Sequence, residues 1–255
     1  MSNRYIAGDI NLYGLSLTSL PEELADINVF GNLNAIGNRF TSFKNFPANI
    51  FSYKESPIKL SRADRDEGTG RLTLDKNKIT SFEGAPKFVN QDLTMSENKL
   101  TDLVGMPEIK YGSFFCRKNN LTSLQGCIPS LYQSFDVSVN PGLTSLKNGP
   151  KKVGATYTAT NCNIKNLDMQ DCEFVALHLD LRANKITTLE GLPQIIEGTL
   201  YIGDNPIAES IISDLKRLSN LPSHFDKGYS IKDYMLRNFN CNVSQVNFTS
   251  KAWQI

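Results

Sequence analysis

One short phrase, repeated at a nearly fixed interval, constrains this chain more than any other feature. It reads Leu72-x-Leu74-x-x-Asn77-x-Ile79-Thr80-Ser81-Phe82-Glu83-Gly84-Ala85-Pro86 and returns as Leu93-x-Met95-x-x-Asn98-x-Leu100-Thr101-Asp102-Leu103-Val104-Gly105-Met106-Pro107. It returns again from Phe114 through Cys116, Asn119 and Leu121 to Gly126. The key position is held by Asn38, Asn77, Asn98, Asn119, Asn140, Cys162, Asn184 and Asn205, and the spacings from 77 onward are 21, 21, 21, 22, 22 and 21. Looser units precede them at Ile10-x-Leu12 and Leu33-x-Ala35-x-x-Asn38. Self-similarity at such a period specifies a stack of identical small units, each burying its apolar face against the next.

The phrase L-x-L-x-x-N/C resembles the leucine-rich repeat. Its two apolar residues point the same way on a short strand and enter the core. The Asn or Cys offers polar atoms to backbone groups where the chain turns inside, because a buried polar side chain is tolerable only when hydrogen-bonded. A unit of 21 residues is too short for a strand plus a full helix. The prolines at 21, 47, 86, 107, 129, 150 and 193 instead predict extended or polyproline-like segments on the convex side. The expected fold is an α/β repeat, a leucine-rich repeat solenoid. It has a parallel concave sheet on the order of 40–45 Å long, a mostly non-helical convex side and a small helical C-terminal cap.

The words Thr-Ser-Leu/Phe, Glu/Gln-Gly, Ala-Pro or Leu-Pro and Lys-x-Val, carried best by residues 71–93 and 143–159, resemble short leucine-rich repeats of tailed-bacteriophage and bacterial proteins. They are similar, less closely, to the repeat arm of secreted bacterial leucine-rich effectors. Some of those effectors are ubiquitin ligases with a catalytic Cys in a large C-terminal domain. Here about 50 residues follow the last repeat, and Cys241 stands in Asn240-Cys241-Asn242 without a Cys-x-Asp pattern. The resemblance implies a non-catalytic protein-binding solenoid, with a phage factor that inhibits a host defence or regulatory protein as one form of it. Two other readings stay open. One is a self-associating or virion component, and the other is an enzyme with its site in the C-terminal residues.

The spacing places the solenoid at 1–207 and a helical cap and tail at 208–255. Between Asn38 and Asn77 the interval is 39, so residues 51–70 are read as an irregular unit, with Ile58-x-Leu60 as its strand and Arg62–Gly70 as a charged surface loop. That loop is either a tolerated insertion or a partner contact. Beyond Asn205, Ile207, Ile211, Ile212, Leu215 and Leu218 recur at helical spacing. Ser230 is placed to cap a second helix bearing Ile231, Tyr234, Met235 and Phe239.

Of the 255 residues 40% are hydrophobic and the net charge is +1, which suggests neither a nucleic-acid nor a membrane partner. No stretch approaches the ~20 apolar residues of a membrane span. The first residues carry no apolar core of signal-peptide length. Five cysteines without a C-x-x-C pair read as free thiols in a reducing, bacterial cytoplasm. His178 and His224 stand 46 residues apart with no ligand-like spacing, so neither a metal nor a cofactor is expected. No catalytic set emerges. Residues alternating with the core positions face the concave side. Among them Tyr13, Asp75, Phe115, Arg117, Asp136, Asp180, Arg182 and Tyr201 are the candidate partner contacts, with Trp253 a candidate in the tail. Phe115, Arg117, Arg182 and Tyr201 stand out because aromatics and Arg dominate interface energetics. Phe115 also fits packing against a neighbouring strand.

Overall fold

The computed structural model describes residues 4–57, 70–219 and 230–248. Each coil carries two short parallel strands rather than one. They run as β1 (Tyr5–Ala7) and β2 (Ile10–Asn11), β3 (Asn28–Phe30) and β4 (Leu33–Asn34), β5 (Asn49–Phe51) and β6 (Leu72–Thr73), β7 (Phe88–Val89) and β8 (Leu93–Thr94). Then come β9 (Glu108–Ile109) and β10 (Phe114–Phe115), β11 (Ser130–Leu131) and β12 (Phe135–Asp136), β13 (Lys152–Val153) and β14 (Tyr157–Thr158), β15 (Phe174–Val175) and β16 (Leu179–Asp180). In the next coil both strands merge into β17 (Ile195–Tyr201). The even-numbered strands, bearing the first core residue of each repeat, stack in register into the concave column. The odd-numbered ones form a flanking column, set off by short turns. This is a leucine-rich-repeat solenoid.

The flanking column departs from the expectation of unpaired extended segments. The chain after each proline is extended, as proline favours, but it then pairs: Lys87 N–H donates to the Ala48 carbonyl (2.8 Å) and Glu108 N–H to the Lys87 carbonyl (3.0 Å). Pro86 and Pro107 stand just ahead of their strands, where a missing N–H costs no ladder bond. Most flanking strands seal one apolar residue in the core, among them Val29, Ile50, Val89, Val153 and Val175, all at 0% exposure.

The buried asparagines hold the concave column together. Asn119 shows the pattern: its Nδ2 donates to the Met95 carbonyl of the previous coil (2.9 Å), and its Oδ1 accepts from Leu100 N–H (3.0 Å). Asn38, Asn77, Asn98, Asn140 and Asn184 repeat this clamp. Cys162 makes only two weaker thiol contacts, to the Val137 and Thr160 carbonyls, both 3.5 Å. The residue before the key position is left-handed in coil after coil, from Lys76 (φ 58°) to Asp204 (φ 57°). Val139 (φ 59°) is the strained member, since a β-branched side chain disfavours that region.

Residues 51–70 are not an added repeat. β4 pairs directly with β6, and β5 with β3 and β7, so the ladder passes the insertion without a missing rung. The extra chain replaces the short turn between the two strands of one coil. Ile58, Leu60 and most of the charged loop lie outside the described residues.

In coil seven a Tyr replaces the Leu or Phe of its neighbours. Tyr157 is fully buried, and Gly149 accommodates it: a Cβ there would stand 2.8 Å from Tyr157 Oη.

The solenoid ends in two helices. α1 (Glu209–Ser219) buries Leu215 and Leu218, and α2 (Ile231–Phe239) buries Met235. Ser230 caps α2, accepting from Asp233 N–H at 3.1 Å. The residues after α2, read from the sequence as a tail, form β18 (Asn242–Asn247), which pairs in parallel with β17 across both columns, from Ile195↔Asn242 to Tyr201↔Asn247. β18 thus covers the strand edge that the last repeat would otherwise leave open.

Candidate partner-binding groove

Alternation along the concave strands decides which side chains face outward. Phe114, Cys116, Phe135, Val137, Tyr157, Ala159, Leu179, Leu181 and Leu200 are fully buried. Their neighbours point the other way. Parallel register then sets Phe115, Asp136, Thr158, Asp180 and Tyr201 in one row across the sheet. These residues, with Arg117, His178 and a floor of Ser134, Ser138, Thr156, Thr158 and Thr160, line a groove of about 370 Å³. That volume falls within the range of ligand-sized clefts.

Two carboxylates lie in the groove in different states. Asp180 is locked by Arg182: Nε donates to Oδ1 at 2.9 Å and Nη2 donates to Oδ2. Both side chains are buried, at 9% and 2% exposure. The Asp180 hydrogen bond raises the guanidinium pKa further. Arg182 Cζ also sits 5.0 Å from the Tyr201 ring centre. Asp136 is held more loosely. Its Oδ1 accepts from Ser138 N–H (2.9 Å), while its Oδ2 faces Arg117 Nε at 3.6 Å. Burial pushes the Asp136 carboxyl above its ordinary value, and Ser138 and Arg117 offset this only in part.

Six of the eight sequence candidates therefore meet here: Phe115, Arg117, Asp136, Asp180 and Tyr201 as lining, Arg182 beneath them. Arg182 is not the outward-reaching arm the sequence suggested, because its carboxylate partner two residues earlier shares its strand face and holds it down. Tyr13, 64% exposed, stands on the first coil, and Asp75 lies on the coil of β6, where its carboxylate accepts from Ser96 N–H at 2.6 Å. Burial raises the Asp75 pKa as well. Neither belongs to the groove. Trp253 lies outside the described residues, as does His224.

His178 lines the groove, although the sequence weighed it only as a metal ligand and set it aside. Its Nδ1 accepts from Thr199 N–H (3.1 Å), and its ring meets Tyr201 edge-on at 5.5 Å. The signal was available: His178, Asp180 and Arg182 share one face by period two.

The thiols do not resemble nucleophiles. Burial pushes Cys162 and Cys172 up to about 11 and Cys241 up to about 12, the reverse of what activates a cysteine. Among the described residues no three His, Cys, Asp or Glu side chains cluster as a metal site, and no helix is long and apolar enough to cross a membrane.

No family model matches the chain, and no curated protein matches it. Among solved structures, the leucine-rich repeat domain of a Shigella effector aligns at 17% identity with a TM-score of 0.49, covering 94% of this chain and 80% of that one.

Proposed function

We propose that this chain is a non-catalytic protein-binding solenoid that takes its partner on the concave face. The observation that carries this is the groove between Phe115 and Tyr201, where successive coils place aromatic walls and charged pairs around a floor of small hydroxyl side chains. Rigid aromatic and Arg groups around a recess are the usual anchors of protein recognition. The repeat phrase, with its likeness to short repeats of phage and bacterial proteins, supports a setting in a bacterial cell. There a phage-encoded factor would hold a host defence or regulatory protein. Free thiols at all five cysteines support a reducing cytoplasm.

The test is capture of partners from a bacterial lysate by tagged protein, read by mass spectrometry, beside a variant with Phe115→Ala, Arg117→Ala and Tyr201→Ala. An abundant partner recovered by the native protein and lost from the variant is expected. A partner retained by the variant would remove the groove from the reading. Recovery of the chain alone would favour self-association.

A further inference from the structure

The groove is a notch cut by side-chain size. On the three coils between Phe115 and Tyr201 the alternating positions are Asp136 and Ser138, Thr158 and Thr160, and Asp180 and Arg182; Phe115 lines one end of the groove and the largely buried Tyr201 the other. Its two carboxylates are not equivalent. Asp180 has both oxygens taken by a buried guanidinium. Asp136 has its second oxygen facing Arg117 at 3.6 Å, beyond hydrogen-bond length, and the Arg117 side chain is 47% exposed. An exposed arm at that distance yields its place easily. An anionic occupant would sit beside two carboxylates, with the groove's buried guanidinium turned by Nε and Nη2 onto Asp180 and its unpartnered Nη1 closed off from solvent. A neutral one would leave Asp136 desolvated and poorly paired, which is costly. A cationic one gains a carboxylate and the Phe115 ring together, the Tyr201 ring being already taken by Arg182.

We propose that the notch receives a Lys or Arg side chain of the partner protein, its charge against Asp136 Oδ2 and its aliphatic stem against Phe115. This rests on the protein-binding reading and adds to it the chemistry of the anchor residue.

The test is a nuclear magnetic resonance titration of the full chain with three blocked tripeptides, acetyl-Gly-X-Gly-amide, where X is Lys, norleucine or Glu. The amides of Ser138 and Thr158 are followed. The Lys peptide should bind about tenfold or more tightly than norleucine, which keeps the stem and drops the charge. Asp136→Asn, close in shape, should erase that advantage. Equal binding of norleucine, preference for Glu, an advantage that survives Asp136→Asn, or no shift with any peptide would each overturn the proposal. The lysate capture separates this failure from failure of the broader reading. A partner lost with Phe115→Ala and Tyr201→Ala but kept by Asp136→Asn would leave protein binding standing and overturn the basic anchor.

Discussion

The two strand columns share every coil yet differ in regularity. The concave column pairs rung to rung from β2 to β17 without a gap. The flanking column lapses between β9 and β11, splitting into two ladders. The break has a sequence cause: one residue more lies between Ile109 and Phe114 than between Val89 and Leu93 or between Leu131 and Phe135. Gly112 absorbs it, since a Cβ there would run into the Gln91 backbone. Beside the break Tyr111 and Tyr132 stand exposed, edge to face at 5.9 Å. The concave column tolerates no such slip because a buried Asn ties nearly every rung to the one before. The flanking column relies on backbone pairs, one buried apolar residue on most strands and, from β3 to β7, the stacked rings of Phe30, Phe51 and Phe88. Directional bonds to backbone fix a register that hydrophobic burial alone leaves loose.

Breaking the clamp should therefore cost most. Asn119→Leu strands the Leu100 N–H and removes one of the two amides that donate to the Met95 carbonyl, leaving Asn98 Nδ2 there. It should destabilise the protein by about 1–3 kcal/mol for the one orphaned group, read as a lowered urea midpoint. A loss below about 1 kcal/mol would deny the asparagines their role. In the flanking column, Ile109→Val at the break should cost only about 0.5–1.5 kcal/mol; a larger loss would mean that column is as tightly registered as the other. Val139→Asn relieves left-handed strain on a β-branched residue and should raise stability by about 1 kcal/mol. A drop in the midpoint would show that the Val139 side chain packs more than it strains. Tyr132→Ala, on a side chain 67% exposed, should fall within about 0.5 kcal/mol of the native protein.

The same contrast explains what could be read in advance. The concave strands were legible because L-x-L-x-x-N combines a period of two with a fixed polar position. The flanking strands were not, because a single Val, Ile or Leu two or three residues after a proline carries no periodicity. The insertion misled for a related reason: counting residues between Asn38 and Asn77 cannot distinguish an extra coil from a lengthened turn, and strand pairing places it in the turn. β18 was hidden because Asn242-Val243-Ser244-Gln245-Val246 lacks the repeat's apolar pair, although Val243 is buried. In the groove, alternation named Phe115, Asp136 and Tyr201, but passed over His178, one step ahead of the strand. It also overstated Arg182, whose exposure depends on the geometry of its bond to Asp180 and not on residue type.

The central claim is that recognition belongs to the concave column and not to the exposed tyrosines beside the break. The most direct measurement is the affinity of the captured partner for three folded proteins: the native chain, the Phe115→Ala, Arg117→Ala, Tyr201→Ala variant, and a Tyr111→Ala, Tyr132→Ala variant. A loss of about tenfold or more for the groove variant is expected, with the tyrosine variant within about twofold of native. The reverse order would place the partner on the flanking column and contradict the account.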